Sequence, residues 1–377
     1  MPWSEVSRMD SRLEFIGLAR AEGSTLSALC RRFGISRKIA YKWLERAALG
    51  EGLEDRSRRP LVSPSQTGSA TEAAVVGLRI EHPTWGGRKI RHRLLALDVS
   101  PAPAASTICD ILRRHGLIDP DEALKHAAFQ SFEHPRPNAL WQMDFKGHFG
   151  YAAGRCHPLT VLDDHSRFSI CLAACENERT DTVREQLTAR FQLYGLPERI
   201  NVDNGSPWGA GPDYRFTPLT IWLARLGIKV SHSRPYHPQT NGKDERFHRT
   251  LKADVIHSRV FADLAQCQQA FDHWRIIYNT ERPHEAIGMA VPASRYRVSP
   301  RPFPDILPEP EYRPDDLVRK VQQGGEVSFK GRVVEVPKAF AGQRIGFRST
   351  QTDGVWDIVF AAHHIAQLDL RDVIRHS

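Results

Sequence analysis

Three acidic residues stand where a carboxylate can do chemistry rather than merely meet water. Asp144 lies in Trp141-Gln142-Met143-Asp144-Phe145, which alternates as a strand, and an ionised side chain there is costly unless paired or metal-bound. Asp203 ends Arg199-Ile200-Asn201-Val202-Asp203 just before Asn204-Gly205, so it projects at the C-terminal edge of a sheet, where α/β sites form. Glu245 follows the turn His237-Pro238-Gln239-Thr240-Asn241-Gly242 and opens a helix on which Phe247, Leu251 and Val255 make the buried stripe. Glu245 and Arg249 are thereby left on a different face. Three carboxylates drawn together from such distant positions repel unless cations sit between them, and hard oxygen ligands select Mg²⁺ or Mn²⁺. Two such ions, about 3.5–4 Å apart, support in-line displacement at a phosphodiester. Lys243, Arg246, Arg249 and Lys252 would grip the flanking phosphates. The chain holds 44 acids and therefore many triples. An N-cap or a surface ion pair is the competing reading of each acid alone, and the neighbouring residues must decide.

The elements that position these acids read as α/β. Trp141–Phe145, Leu159–Asp164 and Phe168–Cys175 are strand-like, the last two around Asp164-His165-Ser166. Asp181–Tyr194 is a helix striped by Val183, Leu187, Phe191 and Tyr194 and closed by Gly195. Arg199–Asp203 is the next strand. Ile221–Leu226 is a helix, Lys229-Val230 a short strand, and two helices follow at about 242–257 and 264–279. Three strands, a helix and another strand is the order of an RNase H-like domain, placed at 130–300.

Ahead of this core the chain is helical and basic. In residues 1–52, Arg12–Ala21 is a short helix, Thr25 opens a second, Gly34 turns the chain and Ser36 caps a third running to about Ala48. This is a helix-turn-helix plan, with Ala40 and Leu44 facing the core and Arg37, Lys38, Tyr41 and Lys42 free to reach a DNA groove. A plain three-helix bundle with a solvated basic face is the bland alternative. Residues 53–69, rich in Arg, Ser and Pro, read as an extended basic linker. Residues 70–125 make a second helical unit, helix-turn-helix or winged-helix-like. There Ile90, Leu94 and Leu97 share a face while Arg88, Lys89 and Arg91 crowd the remainder for DNA; a helical spacer is the alternative. Residues 305–377 begin proline-rich and then alternate as short strands at 331–336, 344–347 and 355–360, which fits a small β-barrel. The whole is multidomain α/β.

The composition excludes several classes. Lys and Arg total 52, giving a formal charge of +8, and a basic excess suits a polyanion such as nucleic acid. No apolar run approaches the ~18 residues of a membrane span, and the N-terminus has no signal-peptide h-region. The six cysteines include no C-x-x-C pair, so neither a disulfide scaffold nor a zinc module is expected, and a reducing cytoplasm is the default compartment. Cys171 and Cys175 read as core, and His232, His237 and His248 as phosphate-facing or structural.

The runs Trp141–Phe145, Val202-Asp203-Asn204-Gly205 and 233–248, together with Leu162-Asp163-Asp164-His165-Ser166-Arg167 and Tyr278-Asn279-Thr280-Glu281-Arg282-Pro283-His284, resemble the DDE transposases of bacterial insertion sequences with a retroviral-integrase-type catalytic core. The resemblance is strong over roughly 130–300 and looser on either side. It implies that Asp144, Asp203 and Glu245 are the catalytic, metal-binding triad, with two Mg²⁺ per site and Mn²⁺ able to substitute. It further implies cleavage at element ends to expose a 3′-hydroxyl, joining of that hydroxyl to target DNA, and at least a dimer in the synaptic complex. Nucleoid-associated action in the bacterial cytoplasm goes with it; whether an accessory ATPase takes part is left open. One departure is the 41 residues between Asp203 and Glu245, longer than usual for the family, with the surplus expected as a loop at Pro207–Thr217. Asp163, Asp164 and Asp244 read as turn chemistry or helix N-terminal charge. The rivals are a domesticated DNA-binding regulator that has lost catalysis and a nuclease that cuts without joining.

Overall fold

A computed structural model describes residues 7–21, 23, 25–56, 67–118, 133–209, 216–233 and 242–371. The middle of the basic linker, the surplus loop at 210–215 and the run 234–241, with His237, lie outside these described residues. So do 119–125 of the second helical unit. The chain forms two compact units, 1–66 and 67–377.

In the first unit α1 (Arg8–Arg20), α2 (Leu26–Arg32) and α3 (Arg37–Ala48) close over Phe15, Ile16, Leu29, Cys30 and Ala40. Ser36 caps α3 by accepting from the Ile39 amide at 3.3 Å, whereas Thr25 occupies the N-cap position of α2 without a side-chain bond. Gly34 makes the turn between α2 and α3 with φ +60°, a conformation that only glycine adopts cheaply.

The second unit begins with α4 (Ser69–Glu81), α5 (Gly87–Ala96) and α6 (Ala105–Arg114). Their core holds Val75, Leu78, Trp85, Ile90, Leu94, Ile108, Ile111 and Leu112, while Leu97, expected on that face, is half exposed at the end of α5. Gly87 allows α5 to approach α6 closely, since a Cβ there would lie 2.6 Å from the Ala105 carbonyl oxygen.

The central sheet comprises β1 (Trp141–Phe145), β2 (Phe149–Tyr151), β3 (Gly154–Asp163), β4 (Ser169–Cys175), β5 (Arg199–Val202) and β6 (Lys229–His232). Its order is β4-β3-β1-β5-β6, with β2 folded back on the early part of β3. β1, β3 and β4 are antiparallel, and β5 and β6 continue in parallel from β1. The helices are α7 (Thr180–Tyr194), α8 (Pro218–Arg225), α9 (Gly242–Leu251), α10 (Leu264–Thr280) and α11 (Pro292–Arg295). α9 runs on through a π-helical turn at Lys252–Ile256. Trp141, Met143, Leu159 and Val161 pack with Val183, Leu187 and Phe191 of α7 and with α8 on one face; Cys156, Leu162 and Leu172 pack with Phe247, Leu251, Phe271 and Trp274 on the other. The helix-sheet-helix sandwich is the RNase H-like plan. Strand β3 starts earlier than expected because Pro158 and Gly154 make its first half read as a loop.

Gly195 ends α7 with φ +73°, and a Cβ there would meet the Arg301 carbonyl oxygen at 2.7 Å and that of Ser299 at 2.9 Å. Gly195→Ala is expected to cost about 2–4 kcal/mol from left-handed strain plus overpacking, read as a lowered melting temperature.

The C-terminal strands are β7 (Leu317–Lys320), β8 (Glu326–Phe329), β9 (Arg332–Glu335), β10 (Arg344–Ser349), β11 (Val355–Phe360) and β12 (His363–Asp369). The expected barrel does not close among the described residues: they form a four-stranded sheet, β12-β11-β10-β7, and a separate β8-β9 hairpin. The hairpin lies over the sheet through its side chains, with Phe329 stacked on Phe347 at 3.9 Å. The same core takes in Ile221 of α8, so this region is joined to the central unit by apolar packing.

Candidate active site

Because Trp141 and Met143 face α7, period-two alternation turns Gln142 and Asp144 toward α9. Asp144 is partly buried, and its pKa is pushed up to about 7, by burial first and then by Asp203, with Glu178 and Glu245 adding to the effect. Asp203 follows β5, beside β1. Its Oδ1 accepts from the Gly205 amide at 2.9 Å and from Trp208 Nε1. Trp208 is buried and stacks on Phe145 at 5.5 Å, which anchors the start of the expected loop and with it Asp203. Glu245 is exposed in the first turn of α9.

These three acids therefore share one electrostatic neighbourhood, but they do not meet at a point. Among the described residues no group of three or more His, Cys, Asp or Glu side chains is arranged to hold a metal ion. The donor chemistry nevertheless fits a hard divalent cation: carboxylate oxygens only, one of them held partly protonated near neutrality by burial and then by a neighbouring carboxylate.

His248 is the neighbour that pattern reading underrated. Its Nδ1 lies 4.0 Å from Asp144 Oδ2, and its Nε2 is 2.8 Å from Thr160 Oγ1, which in turn donates to the Asp144 carbonyl at 3.0 Å. Burial first, then Lys146, pushes the imidazole down to about 4, so it is neutral at physiological pH and does not offset the acids. Spacing on α9, three residues after Glu245, was the available signal. His232 is structural, with Nδ1 2.9 Å from the Asp203 carbonyl oxygen.

The acids set aside as turn chemistry divide. Asp163 is a turn residue: Oδ1 accepts from Ser166 N and Oγ at 2.8 and 2.6 Å, and Oδ2 from Asn138 N at 2.7 Å. Asp244 is no surface charge at a helix start. It is fully buried, Oδ1 has no hydrogen-bond partner among the described residues, and burial followed by Asp144 and Asp164 raises its pKa well above the usual range. Asp164 is buried and paired with Lys243.

The cations expected to face DNA also divide. Arg37, Lys38, Tyr41 and Lys42 are exposed along α3, and Arg246, Arg249 and Lys252 are exposed on α9 and its extension. Lys243 departs from this expectation, its ammonium drawn inward to Asp164. On α5, Arg88 and Arg91 are exposed, but Arg88 stands 3.6 Å from Glu285 after α10. Lys89 is half-buried, and burial and then Arg282 push it down to about 8. Arg93 pairs with Glu281 at the end of α10. Helix α5 is thus engaged by the core along one side.

A mixed sheet of this order with helices on both faces is the architecture of integrase-type cores. Integrase core domain families match residues 134–238 and 226–292, and the C-terminal domain of IS481 family transposases matches 316–374. A helix-turn-helix domain matches 11–60 and a homeodomain-like domain 39–112. Over these segments the chain is similar to insertion-sequence transposases and to integrase cores of the retroviral type. It is 27% identical over 282 residues to the IS476 39.2 kDa protein of Xanthomonas euvesicatoria, covering 72% of this chain and 78% of that one. It is 23% identical to the IS407 31.7 kDa protein of Burkholderia multivorans, covering 45% of this chain and 62% of that one. The HTLV-2 integrase catalytic core domain in complex with magnesium aligns at 17% identity and a TM-score of 0.34, over 43% of this chain and 99% of that one. No helix among the described residues is long and apolar enough to cross a membrane.

Proposed function

We propose that this chain is a DNA transposase that binds the ends of its element, cleaves phosphodiesters there to expose a 3′-hydroxyl and joins that hydroxyl to target DNA. The observation that carries the reading is the placement of Asp144 on β1, paired with β5 that leads into Asp203, against α9, whose His248 faces Asp144 and whose Arg246 and Arg249 are exposed. Asp144, Asp203 and Glu245 would hold Mg²⁺, or Mn²⁺ in its place, two ions per site. When bound, the cations supply charge to stabilise the attacking and leaving oxygens of the in-line displacement. Asp203, whose Oδ1 is held by Gly205 and Trp208, would present its other oxygen without reorganisation. Arg246, Arg249 and Lys252 would hold the phosphates on either side of the scissile bond, and neutral His248 packs behind Asp144. The α3 face would bind the element end in duplex DNA, with Arg88 and Arg91 as further contacts, and bringing two ends together calls for at least a dimer. Such chemistry belongs with the chromosome in the bacterial cytoplasm.

The test is a strand-transfer assay on labelled duplex carrying the terminal repeats, in Mg²⁺ or Mn²⁺, with Asp203→Asn and Glu245→Gln beside the wild type. Joined product from the wild type and a loss of at least 10³-fold in both variants are expected, since each removes a ligand of the cations on which the displacement depends. Salt-sensitive DNA binding with neither cleavage nor joining would point instead to a binding protein without catalysis. Cleaved ends with no joined product would point to a nuclease.

A further inference from the structure

Asp144 on β1 and Glu245 on α9 come from elements far apart in sequence, and one buried carboxylate links the two. Gln142 lies on the same face of β1 as Asp144, and its Nε2 donates to Asp164 Oδ1 at 2.7 Å. Asp164 sits just beyond β3, is 2% exposed, and has its amide bonded to the Leu140 carbonyl at 3.0 Å. Its Oδ2 accepts from the His134 amide at 2.8 Å. The Lys243 ammonium, in the first turn of α9, donates to Oδ1 and stands 3.5 Å from the Asp164 carbonyl oxygen. Lys243 shares a helix face with the buried Phe247 and Thr250, so drawing it inward sets the rotation of α9. Glu245, about 200° round the helix from Lys243, then falls on the side of His248, which faces Asp144.

A buried ion pair is weak evidence for stability, because desolvation offsets most of its attraction, but it is effective at fixing register. We propose that Asp164 and Lys243 are positioning residues whose ion pair locks α9 onto β1 and so sets how Glu245 is presented to Asp144. This rests on the triad reading above. Lys243 is accordingly not a phosphate contact.

Full-length Lys243→Met, Lys243→Arg, Asp164→Asn and the double variant Lys243→Met/Asp164→Asn test this through three readouts: affinity for an end duplex against salt, Mn²⁺ binding by calorimetry, and joining at saturating DNA. For Lys243→Met the expected result is DNA affinity within twofold of wild type with an unchanged salt slope. Mn²⁺ affinity and the maximal joining rate should each fall at least tenfold, with the KM for DNA unmoved. Lys243→Arg should recover most of that loss, and the double variant should lose no more than the worse single one, because both break one link. If Lys243→Met fails to fold, Asp164→Asn, equal in shape, carries the same expectation. A salt slope reduced by about one with Mn²⁺ affinity intact would make Lys243 a phosphate contact and overturn the proposal. Wild-type behaviour of Lys243→Met in all three readouts would overturn it while leaving the triad standing. A wild type that neither joins DNA nor binds Mn²⁺ would remove the triad reading, and this proposal with it.

Discussion

Asp144→Asn is expected to abolish joining and at the same time to make the cation-free protein more stable at pH 7.5. In the folded chain the Asp144 carboxyl holds its proton to about pH 7, against an ordinary 3.8, because burial and then the charge on Asp203 disfavour its ionised form. The folded state therefore binds more protons than the unfolded state between those two values. Below pH 3.8 both states are protonated and the group is neutral to stability. As pH rises from 3.8 to about 7 stability falls, and above about 7 the loss is complete. At ~1.4 kcal/mol per pH unit the upper bound is about 4 kcal/mol. The side chain is 28% exposed, and solvent screening reduces the figure to about 2 kcal/mol. Asparagine has the same shape and no charge, so Asp144→Asn should raise the melting temperature at pH 7.5 by about 4 °C and leave it nearly unchanged at pH 4. Millimolar Mg²⁺ should raise the melting temperature of the wild type and not of the variant. Because cation and proton compete for one carboxylate, raising Mg²⁺ should also move the acid limb of the joining profile to lower pH. A melting temperature for Asp144→Asn below that of the wild type at pH 7.5 would show that the carboxylate is stabilised rather than crowded.

Removing the cationic face of α3 should produce the second large effect, on DNA affinity rather than chemistry. Arg37, Lys38 and Lys42 are exposed on a helix whose opposite face, Ala40 and Trp43, is buried, so alanine at the three positions keeps the core and favours the helix. Each neutralised phosphate contributes ~0.9 to the slope of log affinity against log salt. Three lost contacts should therefore reduce the slope by about 2.7, and near 0.15 M salt weaken binding to an end duplex by on the order of 10²-fold. Tyr41, 61% exposed between them, carries no charge. Tyr41→Ala should weaken binding while leaving the salt slope as it was, which separates groove contact from phosphate contact. Titration of labelled duplex at several salt concentrations measures both. A triple variant with the slope of the wild type would place the DNA-binding face elsewhere.

Much of this molecule is written locally. The stripe Phe247, Leu251, Val255 and the alternation of Trp141–Phe145 place Glu245 and Asp144 on their elements, because helix and strand periods depend only on near neighbours. Ser36, Gly34 and Gly195 mark their boundaries through capping and backbone conformation alone. What pattern could not decide is which charges end up inside. Lys243 and Arg246 are both basic residues early in α9, yet one is half-buried against Asp164 and the other exposed. Lys89 and Arg88 are adjacent on α5, yet only Arg88 is exposed. Trp208 stands in a stretch expected to be loop and proves to be the buried partner of Asp203. The C-terminal strands were legible one by one, but whether their ladders close was not, since that depends on how the β8-β9 hairpin packs over the sheet. The sequence by itself determined the elements and the acids they carry. The tertiary structure decided which neighbours those acids have, because burial and charge proximity are properties of chain segments far apart in sequence and exist only once the sheet and α9 have packed.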